Sequence, residues 1–252
     1  MIDAITGLPN RTSHLREDVI IDGTLNVTGI ITLNNGTQLG VVPSAYSLGA
    51  ATSYVILTPT VYTLTAPFQL VTGDVGHSGA TVGGPVAFVS GSDIQTTIAS
   101  QSIIDANAAY NLFTGLTPTF AFVSGAVVLE TVVTTGAPGV FTPGIYKGDA
   151  AAGTGASGVV TLSGDGDFVF VFDGALTTGA NTIFVLTNGA TANRVFFATS
   201  GAVTTGANTT FKGTALTPAA ITTGANTNLQ GRLISFVAAI STGAVNTLVV
   251  SN

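Results

Sequence analysis

The sequence has 252 residues, of which 46% are hydrophobic and only 7% are charged, against about 25% charged residues in an average soluble domain. Its six Lys and Arg residues are too few for the basic stripe that nucleic-acid binding needs, and the net charge of -6 disfavours anionic membranes. Cysteine is absent, which excludes disulfides and thiolate metal sites, and no apolar run is long enough to insert into a membrane as a helix.

Residues 1–46 are predicted to form a separate, β-rich attachment segment. A third of the charged side chains lie within the first 22 residues, and two alternating stretches, Leu25–Val27 and Ile31–Leu33, predict short half-buried strands. So short a segment has little core of its own, so we expect it to pair with further copies of the chain, for example in a trimer. The first residues lack the pattern of a secretory signal.

Residues from about 92 to 115 are predicted to form one long α-helix. Ser92 and Gln95 have the spacing of a capping box, and Gly115 is a stop signal. The apolar stripe expected to face the rest of the protein consists of Ile94, Ile98, Ile104, Ala108 and Leu112.

The second half of the chain is periodic. The motif Thr-Thr-Gly-Ala-Asn-Thr occurs at Thr177–Thr182, Thr204–Thr209 and Thr222–Thr227, with a degraded copy at Ser241–Thr247. The last two intact copies are 18 residues apart, which fits one coil of three short strands in a stacked repeat fold. The 27-residue interval before them predicts a coil that carries a loop around Thr187–Ala190.

The sequence gives little support to a catalytic or metal-binding site. His14 and His77 are the only histidines, neither lies in a nucleophile motif, and His77 is interpreted as a turn residue. Asp165 and Asp167 suggest either a calcium loop or turn formers before a strand, and the turn interpretation is favoured. The sequence therefore predicts no enzyme, no cofactor and no metal site.

Several motifs follow one another from Leu48 onward. They are Leu48–Ala51, Thr72–Gly76, Asp105–Asn111, Thr142–Tyr146, Gly164–Phe172 and Asn188–Phe197. Together they resemble a family of ice-binding proteins. The resemblance implies a mainly β fold, a right-handed triangular β-solenoid over residues 47–252, whose early and late coils are separated in sequence by a helix that lies alongside. Residues 1–46 lie outside these motifs and are weakly similar to short β segments of phage and viral fibre or collar proteins.

The repeated turns supply the candidate binding face. Its predicted residues are Thr178, Asn181, Thr205, Asn208, Thr223, Asn226 and Thr242. They resemble the Thr-Gly/Ala-x-Thr/Asn units on ice-binding faces of that family, and stacking would place equivalent threonines about 4.8 Å apart. The same motif is also a good solenoid corner, because Gly supplies and Asn tolerates positive φ. Both interpretations stay open at this point.

Two functions from different classes follow. The favoured hypothesis is a non-catalytic structural appendage on a virion or other particle, anchored through residues 1–46, with the solenoid turned outward toward ice or a host surface. The alternative is an antifreeze protein that binds ice through a flat threonine face and is secreted after loss of a signal peptide. Neither hypothesis involves nucleic acid or membrane insertion.

Overall fold

The computed structural model describes residues 31–32, 38–39, 44–65, 69–79, 86–134 and 136–251. The chain divides into two compact units, residues 1–42 and residues 43–252. In the first unit, β1 (Ile31–Thr32) and β2 (Gln38–Leu39) form a two-stranded antiparallel sheet. The predicted strand at Leu25–Val27 lies outside the described residues, and the boundary at residue 46 and the oligomerisation through this segment stay predictions.

The second unit consists mainly of short strands. In chain order they are β3 (Tyr54–Leu57), β4 (Tyr62–Leu64), β5 (Gln69–Thr72), β6 (Asp74–His77), β7 (Val86–Ser90), β8 (Asp93–Gln95), β9 (Phe120–Ala121), β10 (Val127–Val128), β11 (Val140–Phe141), β12 (Gly144–Gly148), β13 (Ala152–Gly153), β14 (Val159–Ser163), β15 (Phe168–Phe172), β16 (Leu176–Thr177), β17 (Ile183–Thr187), β18 (Val195–Thr199), β19 (Val203–Thr205), β20 (Thr210–Thr217), β21 (Ile221–Thr223), β22 (Asn228–Ser235), β23 (Ile240–Thr242) and β24 (Thr247–Val249). One α-helix, α1 (Gln101–Gly115), and three short 3₁₀ helices, Gly49–Ser53, Leu129–Thr131 and Ala192–Arg194, complete the described elements.

These strands pair in parallel and form a solenoid with three sides. Side A is the seven-stranded sheet β10-β13-β16-β19-β21-β23-β4. Side B follows the order β11-β14-β17-β20-β22-β24-β5-β7, and side C follows β9-β12-β15-β18-β20-β22-β3-β6-β8. The eight-residue strands β20 and β22 belong to both sides, since they turn the corner at Gly213 (φ 121°) and Gly231 (φ 149°). The predicted mainly β solenoid with one helix is confirmed.

The solenoid is discontinuous in sequence. The coil β3-β4-β5 stacks directly on the last coil of the chain, through the pairs β22–β3, β23–β4 and β24–β5. These two coils are neighbours in space, although the chain between them in the sequence includes α1 and the other later coils. The resemblance implied this arrangement, and the strand order agrees with it.

The repeat length is also confirmed. Between β20 and β22 the partners run from Thr210 opposite Asn228 to Thr217 opposite Ser235, which is a constant offset of 18 residues. Between β15 and β18, Phe168 lies opposite Val195, and the longer interval is taken up by the turn at Asn188 and Gly189 and by a 3₁₀ helix.

The helix begins later than the sequence predicts. Residues Asp93–Gln95 are strand β8, which pairs with β6, and α1 begins only at Gln101. The prediction from Ser92 was wrong because the free edge of β6 offers backbone partners to this stretch, and tertiary pairing overrides a weak helix signal.

The predicted apolar stripe of the helix was wrong as well. Ile98, Ile104 and Leu112 are 63%, 47% and 50% exposed. The buried face of α1 consists of Ser102, Ile103, Ala106, Ala109 and Phe113. It packs against side C, where Val169, Phe196 and Leu216 belong to the same apolar cluster. Of the described helices, none is both long and apolar enough to cross a membrane.

Stacked aromatic rings fill the middle of the solenoid. Tyr146, Phe170 and Phe197 lie one above the next, with ring centroids 4.9 and 5.0 Å apart, and Phe211 contacts Phe197 from side B with a centroid distance of 5.2 Å. Phe170 and Phe197 are fully buried. Because stacking neighbours is what buries these rings, each coil depends on the next for its core.

Candidate ligand-binding face

The four predicted face threonines point into the protein. Thr178, Thr205 and Thr223 are 3% exposed and Thr242 is 2% exposed. In β19, Val203 and Thr205 are buried and only Thr204 faces outward, as alternation along a strand requires. The prediction that these hydroxyls lie on the surface is therefore corrected.

These buried threonines form hydrogen bonds inside the corner. The Thr205 hydroxyl lies 3.2 Å from the Thr227 hydroxyl, and the Thr178 hydroxyl lies 3.3 Å from that of Thr209. Asn246 Nδ2 donates to the Thr223 hydroxyl at 2.6 Å. Buried polar groups are stable only when they are paired, so this row of hydroxyls holds the corner in one geometry.

The predicted asparagines do lie on the surface. Asn181, Asn208 and Asn226 are exposed, and they adopt φ values of 59°, 57° and 56°. Asn208 Nδ2 donates to Asn181 Oδ1 at 3.0 Å, and Asn226 Nδ2 donates to Asn208 Oδ1 at 3.1 Å. The asparagines thus form a ladder of hydrogen bonds along the corner. They adopt the positive φ that the sequence predicted for residues of a solenoid corner.

Val245 occupies the next position of this ladder. It has φ 58° and is 54% exposed, and a β-branched residue is strained in this region. Val245→Asn is expected to raise the free energy of unfolding by about 1 kcal/mol, because it relieves strain and places an amide next to Asn226. Urea unfolding would measure the gain, with Asn208→Val as the reverse control, and a loss of stability in Val245→Asn would contradict the ladder.

The outward row of side A consists of the residues that sequence reasoning missed. It is a column of hydroxyl side chains, Thr177, Thr204, Thr222, Ser241 and Thr63, and each is in register with the next. We call it the threonine column. Neighbouring strands lie about 4.7–4.9 Å apart, so the hydroxyls repeat at that spacing. The signal was present in the sequence, because the first threonine of each Thr-Thr doublet supplies this column.

The surroundings of the column are small and uncharged. Residues 200–208, 218–226 and 237–245 contain no charged side chain. The glycines after the doublets stack so closely that a Cβ at Gly206 or Gly224 would lie 2.5 Å from backbone of the coil below. Glycine is therefore required there, and the surface beside the column stays flat.

The other two sides of the solenoid differ from side A. On side B, Lys212 Nζ donates to Gln230 Oε1 at 2.7 Å, and Val159 and Ile183 are 48% and 44% exposed. The long side chains and mixed chemistry of side B make it less regular than side A. Side C is covered in part by α1. Side A is the most regular polar surface among the described sides.

The acidic turn has a partner that the sequence did not reveal. Asp165 lies in a bend and Asp167 directly before β15, as predicted for turn formers, and both accept hydrogen bonds from the buried Arg194, at 2.6 and 3.0 Å. The prediction for His77 was wrong, since this residue ends β6, is 2% exposed and has its Nε2 2.7 Å from Asp93 Oδ1. Across the described ranges, no three His, Asp or Glu side chains are grouped so that they could hold a metal ion.

Comparison with known proteins places the chain in a family. A family model described as ice-binding-like matches residues 20–246. The chain belongs to the ice-binding-like family. The match begins upstream of Leu48, where the motifs quoted above begin. Membership of this family agrees with the prediction that the chain is not an enzyme.

Two relatives and two solved structures illustrate the likeness. The chain is 32% identical over 179 residues to an ice-binding protein of Nostoc sp. (strain HG1), which covers 67% of this chain and 61% of the relative, so the chain spans less than two thirds of that protein. It is 29% identical over 199 residues to ice-binding protein K3-B1 of Typhula ishikariensis, with 69% and 77% covered. The crystal structure of an ice-binding protein from the Antarctic ascomycete Antarctomyces psychrotrophicus has a TM-score of 0.69 and 27% identity, covering 82% of this chain and 98% of that one. An ice-binding protein from an Antarctic biological consortium has a TM-score of 0.70 and 25% identity, covering 85% and 95%.

These relatives bear on the two functional hypotheses. All four are named as ice-binding proteins, and none of them is named as a fibre, collar or virion protein. The comparisons therefore favour the alternative hypothesis over the appendage, which they do not support. The predicted locations, a particle surface or the extracellular space, stay predictions.

Proposed function

We propose that this protein binds ice through side A, with the threonine column as its contact surface. The observation that carries the proposal is the column itself, in which Thr177, Thr204, Thr222, Ser241 and Thr63 present hydroxyls at one strand spacing. Family membership supports the same ligand.

The chemistry of the column suits an ordered water surface. Each threonine offers a methyl group and a hydroxyl that donates and accepts hydrogen bonds. A single hydroxyl gains little by exchanging liquid water for ordered water, so a useful contact requires many such groups held at matching positions. The column supplies this repetition across five neighbouring coils.

Rigidity is the second requirement that side A meets. Binding a regular lattice costs entropy if the protein must first order its side chains. Here the backbones of Thr177, Thr204 and Thr222 are each fixed between two parallel strands, and the corner behind them is held by buried hydroxyls and by the asparagine ladder. The face is thus ordered before it meets its ligand.

Low charge is the third property of side A that suits binding to ice. Charged side chains hold strongly bound water in arrangements of their own, and the coils from residue 200 onward present none on side A. The 7% charged content of the whole chain agrees with a surface that stays neutral.

The direct test is thermal hysteresis of the purified full chain, measured on a single ice crystal in a nanolitre osmometer. The expected result is a faceted crystal that does not grow in the interval between its melting and freezing temperatures. A heat-unfolded sample at the same concentration controls for solute effects. A round crystal that grows as it does in buffer would rule out ice as the ligand.

A further inference from the structure

Arg232 is a buried cation on side C. It lies in β22 opposite Thr214, which in turn lies opposite Phe196, so the three side chains share the outer row of the sheet. Arg232 is 2% exposed and is among the largest fully buried side chains of the described residues. It therefore lies in the layer between the sheet and the residues that cover it.

None of the described Asp and Glu side chains neutralises this guanidinium. Arg232 Nε donates to the carbonyl oxygen of Thr52 at 2.9 Å, and Nη2 donates to that of Ser251 at 2.6 Å. Within the described part of the chain, its side chain has no Asp or Glu oxygen within 4 Å, whereas the equally buried Arg194 pairs with two aspartates. Burial lowers the pKa of Arg232 to about 10. A buried charge without a counter-charge is costly, and two neutral carbonyls offset only part of that cost.

The guanidinium lines a cavity of about 270 Å³. Its polar walls include Ser44, Ser47, Thr52, Asn193 and Ser251. The hydroxyl oxygens of Ser44 and Ser47 accept hydrogen bonds from the backbone N–H groups of Tyr46 and Gly49, both at 3.1 Å. Because those oxygens act as acceptors, the hydroxyl hydrogens of both serines are available to a further acceptor in the cavity.

We propose that this cavity is a binding site for one small oxyanion, held by the Arg232 guanidinium and by the hydroxyls of Ser44 and Ser47. The two carbonyls use two of the five guanidinium N–H donors, so three remain for an anion, and charge-assisted bonds of this kind are the strong ones. Serine hydroxyls complete the donor set around the remaining oxygens. The volume holds a phosphate-sized ion with a few waters, since one water occupies about 30 Å³.

The proposed ligand is a free anion and not a phosphate group of a polymer or of a lipid surface. The chain has six Lys and Arg residues and a net charge of -6, so it lacks the surrounding positive field that a phosphate backbone or an anionic membrane requires. Among the described residues that line the cavity, Arg232 is the only cation.

The bound ion would join segments that are far apart in the sequence. The cavity walls come from the residues before β3, from the 3₁₀ helix before β18, from β22 and from Ser251. A ligand that binds this folded arrangement and not the unfolded chain stabilises it by mass action. The site thus supports the stacking of the first coil on the last, independently of any contact with ice.

Isothermal titration of the full chain with inorganic phosphate tests the proposal, with NaCl at matched ionic strength as the reference. We expect saturable binding of one phosphate per chain, and a melting temperature that rises with phosphate beyond the NaCl reference. Sulfate is expected to compete, because it presents the same tetrahedral oxygens.

Variants locate the site. Arg232→Met is expected to abolish binding, and because that change also alters a buried layer, Ser44→Ala and Ser47→Ala provide milder tests. Each serine variant should bind phosphate about five- to tenfold more weakly, while its melting temperature without phosphate falls only slightly, because each change also removes the acceptor of one backbone N–H group. Ser200→Ala, an exposed serine outside the cavity, is the matched control and should bind as the wild type does. Absence of saturable binding to the wild type, or an unchanged affinity in a Ser44→Ala/Ser47→Ala double variant, would overturn the proposal.

Discussion

Replacing Thr222 with tyrosine is expected to abolish thermal hysteresis while leaving the solenoid folded. Thr222 is exposed in the middle of side A, with Thr204 on one side and Ser241 on the other. A tyrosine ring there would stand above the flat surface and keep the neighbouring hydroxyls from reaching the same plane. Tyrosine is well tolerated in strands, so the fold should persist.

The matched control is the same substitution on another side. Thr247 is half-buried at the start of β24 on side B, opposite Asn228. Thr247→Tyr should keep the full hysteresis of the wild type. Circular dichroism and melting temperature would establish that both variants are folded. Retained activity in Thr222→Tyr together with loss in Thr247→Tyr would move the contact surface to side B.

Truncation of Phe170 to alanine should cost about 3–5 kcal/mol of the free energy of unfolding. Phe170 is fully buried, and its ring centroid lies 4.9 Å from that of Tyr146 and 5.0 Å from that of Phe197. Its removal leaves a cavity between two coils that depend on each other for burial, and it also removes four aromatic contacts, with Phe141, Tyr146, Phe172 and Phe197.

Urea unfolding followed by far-ultraviolet circular dichroism would measure this loss. Phe170→Leu keeps much of the volume and should lose less than the alanine variant. Val159→Ala, at a side chain that is 48% exposed, should change stability by no more than about 0.5 kcal/mol. A Phe170→Ala loss as small as that of Val159→Ala would mean that the ring stack contributes little to stability.

The corners and the period of the solenoid could be predicted from sequence because they are local. Positive φ at Asn208 and Asn226 follows from the Gly-Ala-Asn motif, and the 18-residue offset follows from its recurrence. Which threonine of each doublet faces outward also follows from alternation, because an apolar residue such as Val203 precedes the doublet and lies on the same side of the strand as the second threonine. The prediction took the second threonine from the turn motif and did not apply this alternation to the strand before it.

Contacts between residues that are far apart in the sequence could not be predicted. The edge that captures Asp93–Gln95 belongs to β6, and the partner of Asp165 and Asp167 is Arg194, 29 and 27 residues away. The Arg232 contacts with Thr52 and Ser251 reach across 180 and 19 residues. Spacing along the chain carries no signal for such contacts, so the proposed anion site on side C follows only from the three-dimensional structure.

The stacking of the first coil on the last sets the order in which the protein can be made. As the chain leaves the ribosome, β3, β4 and β5 are synthesised well before their partners in residues 228–249. The edges that face the last coil must stay unpaired throughout the synthesis of α1 and of six further layers of side A, whereas the opposite edges of β3 and β5 can pair at once with β6 and β7. The coils from β12 to β22 can assemble in sequence order, so they are expected to fold first and to serve as the template on which the earliest part of the chain closes last.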